Sequence, residues 1–227
     1  MKAMILAAGK GTRMQNLTAT TPKPLLNIGP CTLIERHLYR LADMNIRECV
    51  INLRYLSDKI AEHLGNGDKY QLSIQYSHET EDLETGGGII NALNLLGNEP
   101  FMLLSGDIVT DFPFNELQLP NNKLAHLALV PNPPHHPKGD FELHSNQTIT
   151  PITDDNYNYN NYTYGNVGIY HPDLFKPHPA GYRKLADILK AGMDQQLITG
   201  ELYEGRWLNV DTPDRLAIAR EWSNSEC

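Results

Sequence analysis

The chain has 227 residues, 41% of them hydrophobic, which is enough to bury one substantial core and fits a single large domain. A formal net charge of -8 excludes the broad basic face that proteins use to hold nucleic acid through its phosphates. Any phosphate site must be built locally, from backbone N–H groups, a few placed cations and a metal ion.

The first eight residues end in small side chains, but their apolar run is about half the length that export or membrane spanning requires. Residues 4–7 are read as a core strand instead. No later stretch is long or apolar enough to cross a bilayer, so a cytoplasmic protein with no membrane partner is expected. The first half alternates short apolar runs with helical spacing, the pattern of βα units feeding a parallel sheet. Thr32 and Glu35 form a capping-box pattern ahead of Ile34, Leu38, Leu41 and Met44, which predicts a helix ending near Asn45. A strand follows over 49–53, a helix over 57–64 stopped by Gly65 and Gly67, a strand over 72–76 and a helix over 89–96. Residues 101–104 are apolar on both faces, as a central strand requires.

The second half changes character. A strand over 124–130 runs into Pro131, Pro133, Pro134 and Pro137, which break the chain. Residues 141–143 and 148–152 pair as a candidate hairpin. Residues 154–164, rich in Asn and Tyr and without periodicity, are read as a loop. A helix over 184–193, an extended segment over 202–210 and a helix over 213–222 with an early proline complete the chain. Cys31, Cys49 and Cys227 are widely spaced, form no CxxC pair and are read as reduced thiols.

The chemistry gathers at three places. The first strand runs into Ala8, Gly9, Lys10, Gly11, Thr12, Arg13 and Met14, where glycines let backbone N–H groups approach an anion. A dinucleotide fingerprint needs a third glycine where Met14 stands, and a P-loop needs a GK pair followed by Ser or Thr, which is absent. About ten residues on, Lys23 is held between Pro22 and Pro24, which fix φ on both sides and restrict its path to a phosphate. The strand over 101–104 ends in Ser105, Gly106 and Asp107, placing a carboxylate at the strand end where open α/β sheets bind ligands and where Mg²⁺ takes one or two carboxylate oxygens.

Coupled at this distance, LAAGKGTRM and TPKPL resemble the signature of the sugar-nucleotide pyrophosphorylases, the sugar-1-phosphate nucleotidyltransferases. The resemblance implies a Rossmann-like, three-layer, mostly parallel α/β sheet of nucleotidyltransferase type in a single domain over 1–227. Residues 1–110 would form the nucleotide-binding half, and 111–227 a half carrying a sugar-binding insertion. Ala8, Gly9, Gly11, Thr12, Arg13, Lys23 and Ser105 would hold a nucleoside triphosphate. Arg13, Lys23 and Asp107 would carry the catalysis, with Mg²⁺ as cofactor. Gln15 and Asn16 depart from the Arg-Pro usual in relatives, a change expected to alter loop stiffness more than chemistry.

LETGGG, with Thr85, Gly86 and Gly87, resembles the family's base-binding loop; three successive glycines suit close approach of a flat ring. The second metal ligand of relatives lies in a segment like WxDVGTP, read here as Trp207, Leu208, Asn209, Val210, Asp211, Thr212, Pro213. Asn209 is favoured as that ligand and Asp211 is the competitor, since period two puts both on one side of a strand. In HHPKGDF, His135 and His136 are adjacent, poor geometry for two ligands on one zinc. Lys138 is expected to meet an anion on the sugar, and Asp140 to accept from its hydroxyls. Asn166, in NVGIY, resembles a further sugar contact. The combination of LETGGGI with HHPKGDF is closest to the branch of the family serving peptidoglycan recycling, which implies UMP transfer from UTP to a muramic-acid-type sugar-1-phosphate. GTP with mannose 1-phosphate, dTTP with glucose 1-phosphate, and a non-catalytic nucleotide-binding subunit remain the alternatives. A monomer or small homo-oligomer is expected.

Overall fold

The computed structural model describes residues 1–152 and 160–223. Seven strands run through the main sheet: β1 (Lys2–Leu6), β2 (Glu48–Leu53), β3 (Ser73–His78), β4 (Phe101–Ser105), β6 (Ala125–Val130), β9 (Asn161–Tyr170) and β10 (Ile198–Leu202). Their spatial order is β10-β6-β9-β4-β1-β2-β3, which puts β4 in the centre, as its two apolar faces predict. The β1–β2, β1–β4, β2–β3 and β6–β10 pairs are parallel; β9 is antiparallel to both β4 and β6. The short β7 (Phe141–Leu143) and β8 (Ile149–Pro151) form the expected hairpin, and β7 also pairs with β9. Outside this sheet, β5 (Ile108–Thr110) pairs antiparallel with β11 (Trp207–Asn209).

Strand alternation sorts the core into two layers. Ala3, Ile5, Cys49, Ile51, Met102 and Leu104 face one side, against Ile34, Leu38 and Leu41 of α1 (Leu33–Asp43) and Ile60 and Leu64 of α2 (Ser57–Leu64). Met4, Val50, Phe101 and Leu103 face the other, against Ile89, Ala92 and Leu96 of α3 (Glu84–Leu96) and Ile188, Leu189 and Met193 of α4 (Leu185–Asp194). A third, smaller cluster joins Met14, Ile28, Val109 and Val210 to Leu216 and Ala219 of α5 (Pro213–Trp222). Helix over sheet over helix is the three-layer α/β architecture that the sequence implies.

The helix starts follow local chemistry. Thr32 caps α1 with both halves of the capping box, Glu35 N donating to Thr32 Oγ1 and Thr32 N donating to Glu35 Oε2. Thr212 caps α5, with Pro213 at the start where its missing N–H costs nothing. Burial alone would push the Glu35 carboxyl up, but hydrogen bonds from Lys69, Thr32 and Tyr70 outweigh it and lower the pKa to about 2.

Several expectations need correction. Helix α3 begins at Glu84, five residues before the predicted start, with Gly86, Gly87 and Gly88 inside its first turns. Residues 161–164, read as loop, belong to β9, because Tyr164 and its neighbours pair with Leu129 and Val130 of β6. The part of that reading over 154–159 lies outside the described residues. Strands β5 and β10 and the apolar part of β9 had no counterpart in the sequence reading. Of the three supposed thiols, Cys49 is free and buried, Cys31 is disulfide-bonded, and Cys227 lies outside the described residues.

His37 in α1 is fully buried. Burial, followed by the charges of Arg40 and Arg36, lowers its pKa to about 3. Its folded-state pKa is therefore below the unfolded value near 6.5, so the unfolded chain binds the extra proton between these limits and stability falls as pH drops through that window. At pH 5 the loss from this residue alone is about 2 kcal/mol. Glu35 adds a loss only lower, as pH falls from about 4.5 toward 2. Urea midpoints measured at pH 7 and pH 5 should differ clearly in the wild type and much less in His37→Leu; equal differences in the two proteins would refute the assignment.

Candidate active site

The parallel strands β1, β2, β3 and β4 end on one side of the sheet, and the functional residues hang from those ends. From β1 the chain enters the glycine loop. Ala7 N donates to Asn52 Oδ1 of β2 at 2.8 Å, and Gly106 N, just after β4, donates to Leu6 O at 2.9 Å. The loop is thus tied to strands on both sides. Gly11 has a φ of 63°, and a Cβ there would come within 3.1 Å of Lys23 Cβ, so glycine is what lets the lysine stem pack against the loop.

Lys23 sits in a single 3-10 turn, Lys23–Leu25, between the two prolines and is 9% exposed. Its Nζ donates to Asp107 Oδ2 at 2.5 Å, while Ser105 Oγ donates to Asp107 Oδ1 at 2.7 Å. Burial would raise the Asp107 pKa, but the Lys23 ammonium and the Ser105 hydroxyl more than offset it and hold the carboxyl below its ordinary value. The carboxylate is therefore ionised at neutral pH, and Lys23 and Asp107 share one cleft.

The β5–β11 ladder sets Asn209 opposite Ile108, next to Asp107 in sequence, and Val210 N donates to Asp107 O at 2.8 Å. Asn209 Oδ1 is buried without a hydrogen-bond partner. An orphaned amide oxygen beside an ionised carboxylate is an all-oxygen donor pair of the kind Mg²⁺ accepts, so these residues fit the ion. Asp211, the competitor, is engaged elsewhere: it is 3% exposed and ion-paired to both Arg13 and Arg215.

The cleft has a volume of about 980 Å³. Its walls include Ala8, Gly9, Gly11, Thr12, Arg13, Lys23, Thr85, Ser105, Asp107, Asp140, Asn166 and Asn209, so twelve predicted residues converge. Three do not. Gly86 and Gly87 face the chain over 181–185 instead: added Cβ atoms would meet Arg183 O at 2.9 Å and Gly181 O at 2.2 Å, and Gly87 N donates to Arg183 O. These glycines serve close approach of a backbone segment, while Glu84 and Thr85 line the cleft beside them. Lys138 does not line the cleft either.

Asp140 lines the cleft with its oxygens already used, Oδ1 by His136 at 3.1 Å and Oδ2 by Tyr164 N at 2.8 Å. It pins the 135–140 segment onto β9. Asn166 reaches the cleft through a bulge. The β6–β9 register shifts between Leu127 and Leu129, and Asn166 adopts a left-handed φ of 57° there, which re-aims its side chain.

Sequence reasoning missed Asn52, Glu79, Arg54 and Lys184, all of which line the cleft. Asn52 Nδ2 donates to Glu79 Oε1 at 2.7 Å, and Glu79 follows β3 directly beside Gly88. The signal available was a lone amide in the otherwise apolar run of β2; a buried polar residue in a strand needs a partner. Lys184 gives no such signal, because it reaches the cleft only through the docking of α4.

An anion-cradling loop, a buried lysine and an oxygen pair fit for a divalent cation, all at the strand ends of a three-layer sheet, define an α/β phosphoryl-group transferase. The chain belongs to the nucleotidyl transferase family, whose model matches residues 2–143. It is 44% identical over 98% of its length to the whole of the N-acetylmuramate alpha-1-phosphate uridylyltransferase of Neisseria meningitidis serogroup B. It is 30% identical to the mannose-1-phosphate guanylyltransferase catalytic subunit beta of Dictyostelium discoideum, a longer protein of which it spans 62%. In fold it matches a Bacillus anthracis crystal structure described as a glucose-1-phosphate thymidylyltransferase with sucrose, at a TM-score of 0.85, 19% identity and coverage of 100% of this chain and 96% of that one. No described helix is long and apolar enough to cross a membrane.

Proposed function

We propose that the chain transfers UMP from UTP to N-acetylmuramate 1-phosphate, releasing pyrophosphate and forming the UDP-sugar, in the cytoplasmic recycling of peptidoglycan. The observation that carries the reading is the meeting of Lys23 and Asp107 beneath the glycine loop in a single cleft, in a chain with a full-length uridylyltransferase relative. In the reaction an oxygen of the sugar phosphate attacks the α-phosphorus of UTP in line, a new P–O bond forms, and the bond to the β-phosphate bridging oxygen breaks. The nucleophile is already anionic at neutral pH, so no general base is required and catalysis reduces to positioning and charge stabilisation. The amides of the loop over 8–12 hold phosphate oxygens, while Arg13 and Lys23 neutralise charge that builds on them. Asp107 and Asn209 would hold a magnesium ion, which supplies Lewis-acid stabilisation of the phosphate charge. Ser105 keeps the Asp107 carboxylate oriented.

Glu79, fixed by Asn52, offers a carboxylate oxygen to the base. Burial raises the Glu79 pKa, partly offset by the Asn52 hydrogen bond and Arg54; in its ionised form the carboxylate only accepts hydrogen bonds, which suits the N3–H of uracil and disfavours cytosine, whose N3 is itself an acceptor. Mass-spectrometric product analysis with UTP, dTTP, GTP and CTP across a set of sugar-1-phosphates tests the reading: a UDP-sugar from N-acetylmuramate 1-phosphate is expected, and preferential turnover of CTP or of a different sugar would overturn it.

Asn209 and Lys184 give two further expected results. Asn209→Ala should raise the Kd for Mn²⁺, followed by electron paramagnetic resonance, about tenfold, and Asn209→Asp should lower it, because ligand charge sets affinity for hard cations; an unchanged Kd in both would remove Asn209 from the metal site. The sugar's lactyl carboxylate needs a cation, and with Lys138 off the cleft, Lys184, which carries no ion pair among the described residues, is the better partner. Lys184→Ala should raise the KM for N-acetylmuramate 1-phosphate about tenfold and Lys138→Ala should leave it unchanged; the opposite pattern would restore Lys138.

A further inference from the structure

Arg13 and Asp211 form an ion pair that neither the metal site nor the phosphate cradle requires. Asp211 stands directly before the Thr212 cap of α5, and its carboxylate is held by two guanidinium groups. The two differ in character. Arg215, one turn into α5, has a side chain only 18% exposed and is fixed by its helix, whereas the Arg13 side chain is 70% exposed at the cleft mouth. Asp211 itself is 3% exposed.

A carboxylate this buried cannot be left without a counter-ion, since stripping the partner from a buried charge costs several kcal/mol. Arg13 meets Asp211 through Nη1, and a guanidinium carries five N–H donors, so Arg13 can keep this contact while its remaining donors meet a phosphate oxygen. Arg215 holds the other carboxylate oxygen and keeps the anchor fixed. Because the Arg13 side chain is so exposed, the loop around it does not by itself fix its direction.

We infer that Asp211 is a positioning residue for nucleotide binding: with Arg215 as its permanent partner, it holds the Arg13 guanidinium over the glycine loop before the triphosphate arrives. An arginine side chain loses much rotamer freedom on being fixed, and freezing part of it in advance is worth about a tenfold gain in affinity. The inference rests on the assignment of the cleft as a nucleoside triphosphate site.

The test is a double-mutant cycle on Mg-UTP affinity, measured by calorimetry without sugar phosphate so that no turnover occurs, in wild type, Arg13→Ala, Asp211→Asn and the double variant. Asp211→Asn should weaken UTP binding about tenfold when Arg13 is present and less than about twofold in the Arg13→Ala background, and Asp211→Glu should recover most of the loss. Equal weakening in both backgrounds, or none with Arg13 present, overturns the inference. Should the Asn variant fail to fold, Asp211→Ser is carried through the same cycle. Wild-type binding of UTP without pyrophosphate release from any sugar-1-phosphate would refute the proposed reaction and leave the cycle readable; no binding of UTP, GTP or dTTP would refute both.

Discussion

Asp107→Asn should lower kcat by about a thousandfold or more while the protein remains folded, as checked by steady-state pyrophosphate release and circular dichroism. The carboxylate is where three arguments meet. It accepts from Lys23 and Ser105, it sits beside the unpartnered Asn209 oxygen, and it is ionised at neutral pH despite burial. The amide keeps the shape and removes the charge, so the loss falls on cation binding and on Lys23, whose ammonium is left facing a neutral group. Some stability is lost with the pair, of the order of 1–3 kcal/mol, because Lys23 is largely buried. A variant that folds and still turns over at near wild-type rate would remove Asp107 from the chemistry.

Lys23→Met should lower kcat about a hundredfold to a thousandfold, the scale on which a single placed transition-state donor acts. Methionine is the informative substitution because it retains the apolar stem that packs against Gly11, so the effect isolates the ammonium group. A second readout follows from electrostatics. The Asp107 carboxyl is held low by Lys23 against the opposing push of burial, so removing the ammonium lets burial prevail and its pKa rises. The acid limb of the residual kcat–pH profile should therefore move to higher pH in Lys23→Met. A profile that stays put, or moves to lower pH, would show that the two groups are not coupled as the geometry indicates.

The parts of this fold legible in the sequence are those governed by local rules. Helices α1, α2 and α5 begin or end where Thr32, Gly65, Thr212 and Pro213 stop or start them, and these signals act within a few residues. The central place of β4 follows from its double apolar face. What escaped the sequence depends on distant partners. Strand β9 carries Asn, Tyr and Gly and becomes a strand because β4 and β6 pair with it on both sides, which is tertiary context overriding propensity. The three glycines at the start of α3 offered close approach, and only the structure shows that Gly86 and Gly87 admit the backbone over 181–185 while Gly88 makes room for Glu79 and Asn52.

The candidate site divides in the same way. Lys23 and Asp107 were legible because a proline frame and a strand end are sequence patterns with mechanical meaning, and their convergence is what the structure adds. Lys138 does not line the cleft although its neighbours in sequence, His136 and Asp140, do, and adjacency in sequence alone could not tell them apart. Asn52 and Glu79 matter through contacts made across the fold, to Ala7 and Gly88, of which the lone amide in β2 was the one sequence sign, whereas Arg215 pairs with Asp211 only four residues away.

A crystal structure of the protein grown with magnesium and a non-hydrolysable UTP analogue tests the account most directly. The account predicts a triphosphate lying along the amides over 8–12, with Lys23 Nζ on a phosphate oxygen and a metal ion bonded to Asp107. A nucleotide bound elsewhere, or one bound in the cleft while Lys23 and Asp107 touch neither phosphate nor metal, would contradict it.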